Sequence, residues 1–155
     1  MYNGLLHLHS TLRWVILILL LIAVYNSLAN KNKDFTNGHR KVSLYLLIAA
    51  DLTLLVGVYQ WIVGSWGLKS LQNSGMAVVM KDPVQRFYAV EHTIGMLVAI
   101  VLIHVAYSYS KKAVPGTQKH KRNLLLYGLA LLIILISIPW PFRAVGAGRA
   151  WFPGM

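Results

Sequence analysis

Two histidines and four charged side chains in this chain have types and spacings that suit chemistry. His9 and Arg13 lie near the start, Arg86, Glu91 and His92 near the middle, and Arg143 near the end. His9 and Arg13 are spaced i, i+4, which puts them on one face of a helix. Imidazole is a standard axial ligand for haem iron, and a haem also carries two propionates that need cationic partners. On that chemistry His9 and His92 are the two axial ligands of a b-type haem, with Arg13, Arg86 and Arg143 as cations for its propionates. Gly95 and Ala99 follow His92 at i+3 and i+7, a helix face with little bulk that suits a flat cofactor. A plainer alternative pairs Arg13 with Glu91 and leaves both histidines as hydrogen-bonded residues at headgroup level. The residue types leave both open. His7 replaces His9 as ligand if the helix is rotated.

The elements that must position these residues are four apolar runs, approximately 12–29, 42–66, 87–110 and 124–140. A helix needs about 20 residues to cross ~30 Å of hydrocarbon. The 57% of hydrophobic residues and a mean hydropathy of +0.57 argue against a water-soluble domain. Short connections favour antiparallel neighbours, so the expected fold is an all-α, integral membrane, up-down-up-down four-helix bundle forming one domain, 1–155. The small residues Gly57, Gly64, Gly95 and Ala99 allow close helix approach as readily as they admit a cofactor.

Charge orients the bundle. Lys31, Lys33, Arg40 and Lys41 flank the first connection, and Lys111, Lys112, Lys119, Lys121 and Arg122 flank the third. These fall on one side of a four-helix protein, which the positive-inside rule makes cytoplasmic. The expected location is the inner membrane of a bacterium, multi-pass, with both termini periplasmic. The bases form no stripe on a soluble face, so the net charge of +11 does not point to nucleic acid. Trp14, Trp61, Trp66, Trp140 and Trp151 fall toward the outer interface; Tyr25, Tyr45, Tyr107, Tyr109 and Tyr127 fall toward the inner one. There is no cysteine, which excludes disulfides, iron–sulfur clusters and c-type haem attachment. The N-terminus has no basic n-region, so the first helix is expected to be retained as a span.

Counting rise per residue from the inner boundary places Arg13, His92 and Glu91 about 27–28 Å up, with His9, Arg86 and Arg143 about 31–36 Å up. All six converge on one outer layer. Asp51 comes out about 15 Å up and His104 about 9 Å up, near enough to pair. An unpaired carboxylate at that depth is costly, so Asp51 is expected to be protonated or paired. His104 lies twelve residues from His92, a rotation of about 120°, so the two do not share a ligating face. His39 and His120 fall in basic loops and are expected to be solvated. Asn37-Gly38 reads as a turn, the stretch 71–84 as a short surface helix, and Pro139-Trp140-Pro141 as the stop of the fourth helix. The tail from Phe142 reads as an interfacial segment.

The segments His9-Ser10-Thr11-Leu12-Arg13-Trp14, Met80-Lys81-Asp82, Arg86-Phe87, Val90-Glu91-His92 and Ile138-Pro139-Trp140-Pro141 resemble a group of small Bacteroidota membrane proteins labelled cytochrome b or cytochrome-b-like. The resemblance covers essentially the whole chain and carries over His9, Arg13, Arg86, Glu91 and His92. His104 is not in its pattern. It implies haem binding and names no electron donor or acceptor.

The leading expectation is therefore a b-haem membrane protein in respiratory electron transfer at the outer face, exchanging electrons with quinone. Two other classes compete with it: a cofactor-free accessory or assembly subunit of a larger respiratory complex, and a small proton-linked carrier that titrates Asp51 and His104.

Overall fold

The computed structural model describes residues 2–143 and 147–151. The elements in order are α1 (Tyr2–Ala29), α2 (Asn37–Val63), α3 (Leu68–Ser74), α4 (Met76–Lys81), α5 (Pro83–Arg86), a π turn (Phe87–Glu91), α6 (His92–Ser110) and α7 (Gly116–Ser137). Among the described residues there is no strand, and four helical stretches are long and apolar enough to cross a membrane. The all-helical class agrees with the sequence; several boundaries differ. The first helix begins ten residues earlier than its apolar run, because Gly4–Thr11 continue the same helical winding while being less apolar. The fourth begins at Gly116 rather than near Leu124, so its basic first turns are helix and not loop. It stops at Ser137, two residues before Pro139.

Packing joins α1 to α2 and α7, and α6 to α2 and α7, closing a ring of four long helices. The seam is built from small residues of every helix, among them Ala23, Ala49, Ala50, Ala99, Ala106 and Ala130, interleaved with Leu20, Leu46, Ile103 and Ile134. Small side chains let helix backbones approach closely where lipid offers no hydrophobic drive between helices. The outer faces are also apolar: Leu55 is 68% exposed, Val101 59% and Ile136 61%. Apolar side chains thus face both inward and outward on these helices, a distribution compatible with a multi-pass membrane protein.

The ends are fixed by local chemistry. Thr36 caps α2 in a capping box: its hydroxyl accepts from the His39 N–H (3.4 Å), and His39 Nδ1 accepts from the Thr36 N–H (3.2 Å). Asn37-Gly38 therefore opens a helix instead of turning the chain. Asp82 caps α5, accepting from the N–H groups of Val84 and Gln85 at 2.9 and 2.8 Å, with Pro83 at the first helical position. The stretch 71–84, expected as one short helix, is broken into pieces: α3 and α4 meet at Gly75, whose φ of 78° suits glycine, and α5 starts at Pro83.

Contacts group the connections by end. At one end Gln60 Nε2 donates to the Leu5 carbonyl (2.9 Å), and the C-terminus of α7 meets the start of α6. At the other, the backbone of Asp34 and Phe35 packs on Gly116, so the two basic connections lie together.

Candidate functional site

His9 and His92 face each other across the bundle. Their ring centroids are 6.4 Å apart and their planes are inclined at 64°. His92 Nδ1 lies 2.7 Å from the Ser137 carbonyl, which can only accept, so Nδ1 carries the proton and Nε2 is left to bind. The His9 ring sits against Gly57, where an added Cβ would lie 3.2 Å from its Cε1, and it faces the Thr53 carbonyl. His9 Nδ1 is buried and has no hydrogen-bond partner. His7, two residues away, is exposed, so of these two histidines of α1 it is His9 that faces His92.

The π turn sets the orientation of His92. In α geometry residues five apart are about 140° apart around the helix; in a π turn, with its i→i+5 bonds, they come back toward one face. Three such pairs meet here. Phe87 and His92 have ring centroids 5.9 Å apart, Arg86 Nε bonds Glu91 Oε1 at 2.7 Å, and Thr93 Oγ1 donates to the Tyr88 carbonyl at 3.1 Å. Trp61 Nε1 from α2 donates to the Ala89 carbonyl inside the turn (3.0 Å). Nothing in the apolar pattern of the sequence marks this turn.

The arginines are placed differently from one another. Arg86 is held by Glu91 and by the Met80 carbonyl (3.1 Å). Arg143 donates to the carbonyls of Ile136 (2.7 Å) and Ile138 (3.4 Å) and lies over the Phe87 ring at 4.1 Å, so it satisfies orphan carbonyls where α7 ends. Arg13 does not pair with Glu91. Its Nη2 donates to the Trp151 carbonyl (2.6 Å), while its Nε is buried without a partner. Trp151 stacks on Trp14 and packs on Trp140 and Phe142, an aromatic cover over this end. Of the three, Arg13 retains a free buried donor.

The residues fit a haem iron in part. An imidazole nitrogen lies about 2 Å from a bound metal, so two rings on opposite sides of one iron have centroids roughly 6 Å apart. The observed spacing and the orphaned His9 Nδ1 match that. The Gly95–Ala99 face does not serve a cofactor. A Cβ on Gly95 would clash with Ser137 Oγ, and Ala99 is fully buried in the helix seam, so this face holds α6 against α7. Among the described residues no cluster of three or more His, Cys, Asp or Glu forms a metal site. Haem ligation by two histidines does not require one.

A second polar pair lies apart from this layer. His104 Nε2 is 3.2 Å from Asp51 Oδ1, joining α6 to α2 as the heights suggest, and both side chains are about half exposed on the outer surface. His104 Nδ1 lies 2.9 Å from the Ile100 carbonyl and so bears a proton.

His39 and His120 are not solvated loop residues. His120 is fully buried, its ring centroid 4.9 Å from that of His39, with Phe35 against both. Asn123 and Tyr127 follow it at i+3 and i+7 on the buried face of α7. Their spacing is the sequence signal that was available: it continues the helix face back to His120.

No family model matches the chain, and no curated protein or solved structure matches it. Function is read from the residues themselves.

Proposed function

We propose that this protein is a b-type haem protein of a bacterial inner membrane. It spans the bilayer four times, up-down-up-down, with both termini and the His9–His92 layer on the periplasmic side. The observation that carries this is the facing pair of imidazoles at 6.4 Å, one held by a backbone carbonyl and the other with an unpartnered buried nitrogen. His9 and His92 hold the iron, and Arg13 meets a propionate. Arg86 and Arg143 are positioning residues that keep the π turn and the end of α7 in place. A bound haem supplies one-electron chemistry; the chain supplies ligand geometry, a dry surrounding and fixed cations that set its potential. Respiratory electron exchange with quinone or with a larger complex is the role such a site suits. The two basic connections, packed together at the opposite end, support the orientation.

The absorption spectrum of the purified protein tests this. A Soret band with sharp reduced α and β bands is expected. If protein made with ample haem supply never binds it, the cytochrome reading falls, and co-purifying large subunits would then mark an accessory subunit. The Asp51–His104 contact favours a second reading, a proton-linked carrier, which requires transport that depends on Asp51.

A further inference from the structure

At the basic end a groove of about 240 Å³ opens on the outer surface, lined by His104, Val105, Ser108, Tyr109, Lys112 and Arg122. Its mouth carries two cations drawn to one ring: the Arg122 guanidinium lies 4.8 Å from the Tyr109 centroid and Lys112 Nζ 5.4 Å from it. Neither forms an ion pair with any described carboxylate. Only four acidic residues exist in the chain, and Asp51, the one beside this groove, is bonded to His104. Two like charges drawn to one ring repel unless an anion joins them. On the same helix faces, Val101 and Val105 of α6 and Leu125 and Leu129 of α7 are exposed and apolar. The surface thus offers a dicationic head position followed by an apolar lane along two helices.

We propose that this groove binds one anionic phospholipid of the leaflet at the basic end. Lys112 and Arg122 hold the phosphate, Ser108 and Tyr109 supply hydroxyls beside it, and the acyl chains lie along Val101, Val105, Leu125 and Leu129. Basic pockets between membrane helices are suited to anionic headgroups, whereas a zwitterionic lipid brings its own cation into the same place. The proposal rests on the membrane-spanning part of the reading above and is independent of haem.

The test uses the full chain in mild detergent, mixed with equal amounts of phosphatidylglycerol and phosphatidylcholine and read by native mass spectrometry. The unaltered protein retains phosphatidylglycerol in preference by roughly tenfold or more. The double variant K112Q/R122Q brings the two lipids to parity, K112R/R122K keeps the preference, and K31Q/K33Q, altered outside the groove, also keeps it. Equal retention by the unaltered protein, or a preference that survives K112Q/R122Q, overturns the proposal. Displacement of the lipid by millimolar inorganic phosphate also overturns it, because the site would then belong to free phosphate. Flotation with pure phosphatidylcholine vesicles reads membrane residence separately: a chain that floats yet shows no lipid preference has lost this proposal and not the membrane reading.

Discussion

His9 and His92 meet at one end of the bundle with ring centroids 6.4 Å apart, and His39 and His120 meet at the other at 4.9 Å. The second pair is closer and one of its members is more deeply buried, yet one ring nitrogen of each histidine is committed to the fold. His39 Nδ1 closes the capping box of α2, His120 Nε2 lies 3.4 Å from the Asp34 carbonyl, and Phe35 packs on both rings. The unpartnered His120 Nδ1 and Asn123 Oδ1 lie a turn apart on one helix face, with buried Ser27, Ser43 and Ser110 on the other long helices at this end. An ordered water with several polar partners satisfies such atoms. The first pair is oriented by carbonyls of α2 and α7 so that two rings on different helices face each other across the bundle. Burial, proximity and one unpartnered Nδ1 are common to both pairs. They differ in what the other ring nitrogens hold: those of the second pair close the α2 cap and meet the Asp34 carbonyl beside it, whereas His92 is anchored through Nδ1 and keeps Nε2 for a ligand.

The sharpest way to break this comparison is to remove each histidine in turn and follow the haem spectrum. His92→Ala abolishes haem retention, and His9→Ala abolishes it or leaves a five-coordinate, high-spin spectrum. Arg13→Leu keeps the haem and changes its potential, because a cation beside a propionate is lost and no ligand is. His104→Ala and His120→Ala leave the spectrum unchanged. Loss of haem in His120→Ala with retention in His92→Ala would reverse the assignment of the two ends.

The same variants read oppositely in stability. His120→Ala removes a fully buried ring and the contacts of Phe35 and His39, a cost of about 2–4 kcal/mol. His9→Ala, measured in protein without haem, costs less, since its ring is only partly buried. Denaturation in detergent decides it, and equal losses would show that both pairs are structural ties. Gly95→Ala comes next. Its Cβ would press Ser137 Oγ, so α6 and α7 must shift at a cost of about 1–3 kcal/mol. Since the Ser137 carbonyl anchors His92, this variant also alters the haem spectrum; an unchanged spectrum would show that the anchor does not set the ligand.

The long apolar helices were legible because period and hydropathy act over twenty residues at once, and the outer layer was legible because charge is conspicuous in apolar surroundings. The pairing of His104 with Asp51 followed from height alone. Partner choice within the layer did not. Glu91 is nearly level with Arg13, but the π turn swings it to Arg86, and a π turn has no composition of its own. The small residues Gly95 and Ala99 suit a cofactor and close helix approach equally, and in the fold a serine hydroxyl from α7 lies against Gly95, so the face serves packing. Lys119, Lys121 and Arg122 around His120 suggest a loop; in the fold Lys121 and Arg122 are exposed and Lys119 lies over Phe35, on a helix whose buried face includes His120.

A smaller effect separates the outward polar pair from both inward ones. Asp51→Asn keeps a hydrogen bond to His104 and leaves stability near that of the unaltered protein, while Asp51→Leu loses the α2–α6 contact and costs about 1 kcal/mol. Equal stability of the two variants in detergent would show that the contact does not hold the helices together. Transport lost in both would support the carrier reading.

The smallest effect is expected at Asp82, outside the spans, where the chain enters the helix that leads to His92. The N–H of Gln85, together with that of Val84, holds the Asp82 carboxyl below the ordinary aspartate value. A carboxyl depressed in the folded state stabilises at pH above its unfolded value, and the stabilisation is lost as pH falls through the folded value. The cap is therefore fully present at neutral pH and weakens only below the usual carboxylate range. Asp82→Ala removes it at every pH, and Asp82→Asn keeps an acceptor while losing the charge and its pH dependence. Hydrogen exchange at the Val84 and Gln85 amides measures this directly. Both exchange faster in Asp82→Ala than in the unaltered protein at neutral pH, and the difference closes as the solution is acidified past the carboxylate range. A difference that persists unchanged into strong acid would show that the neutral carboxyl caps this turn as well as the carboxylate does, and that the charge is not what holds it.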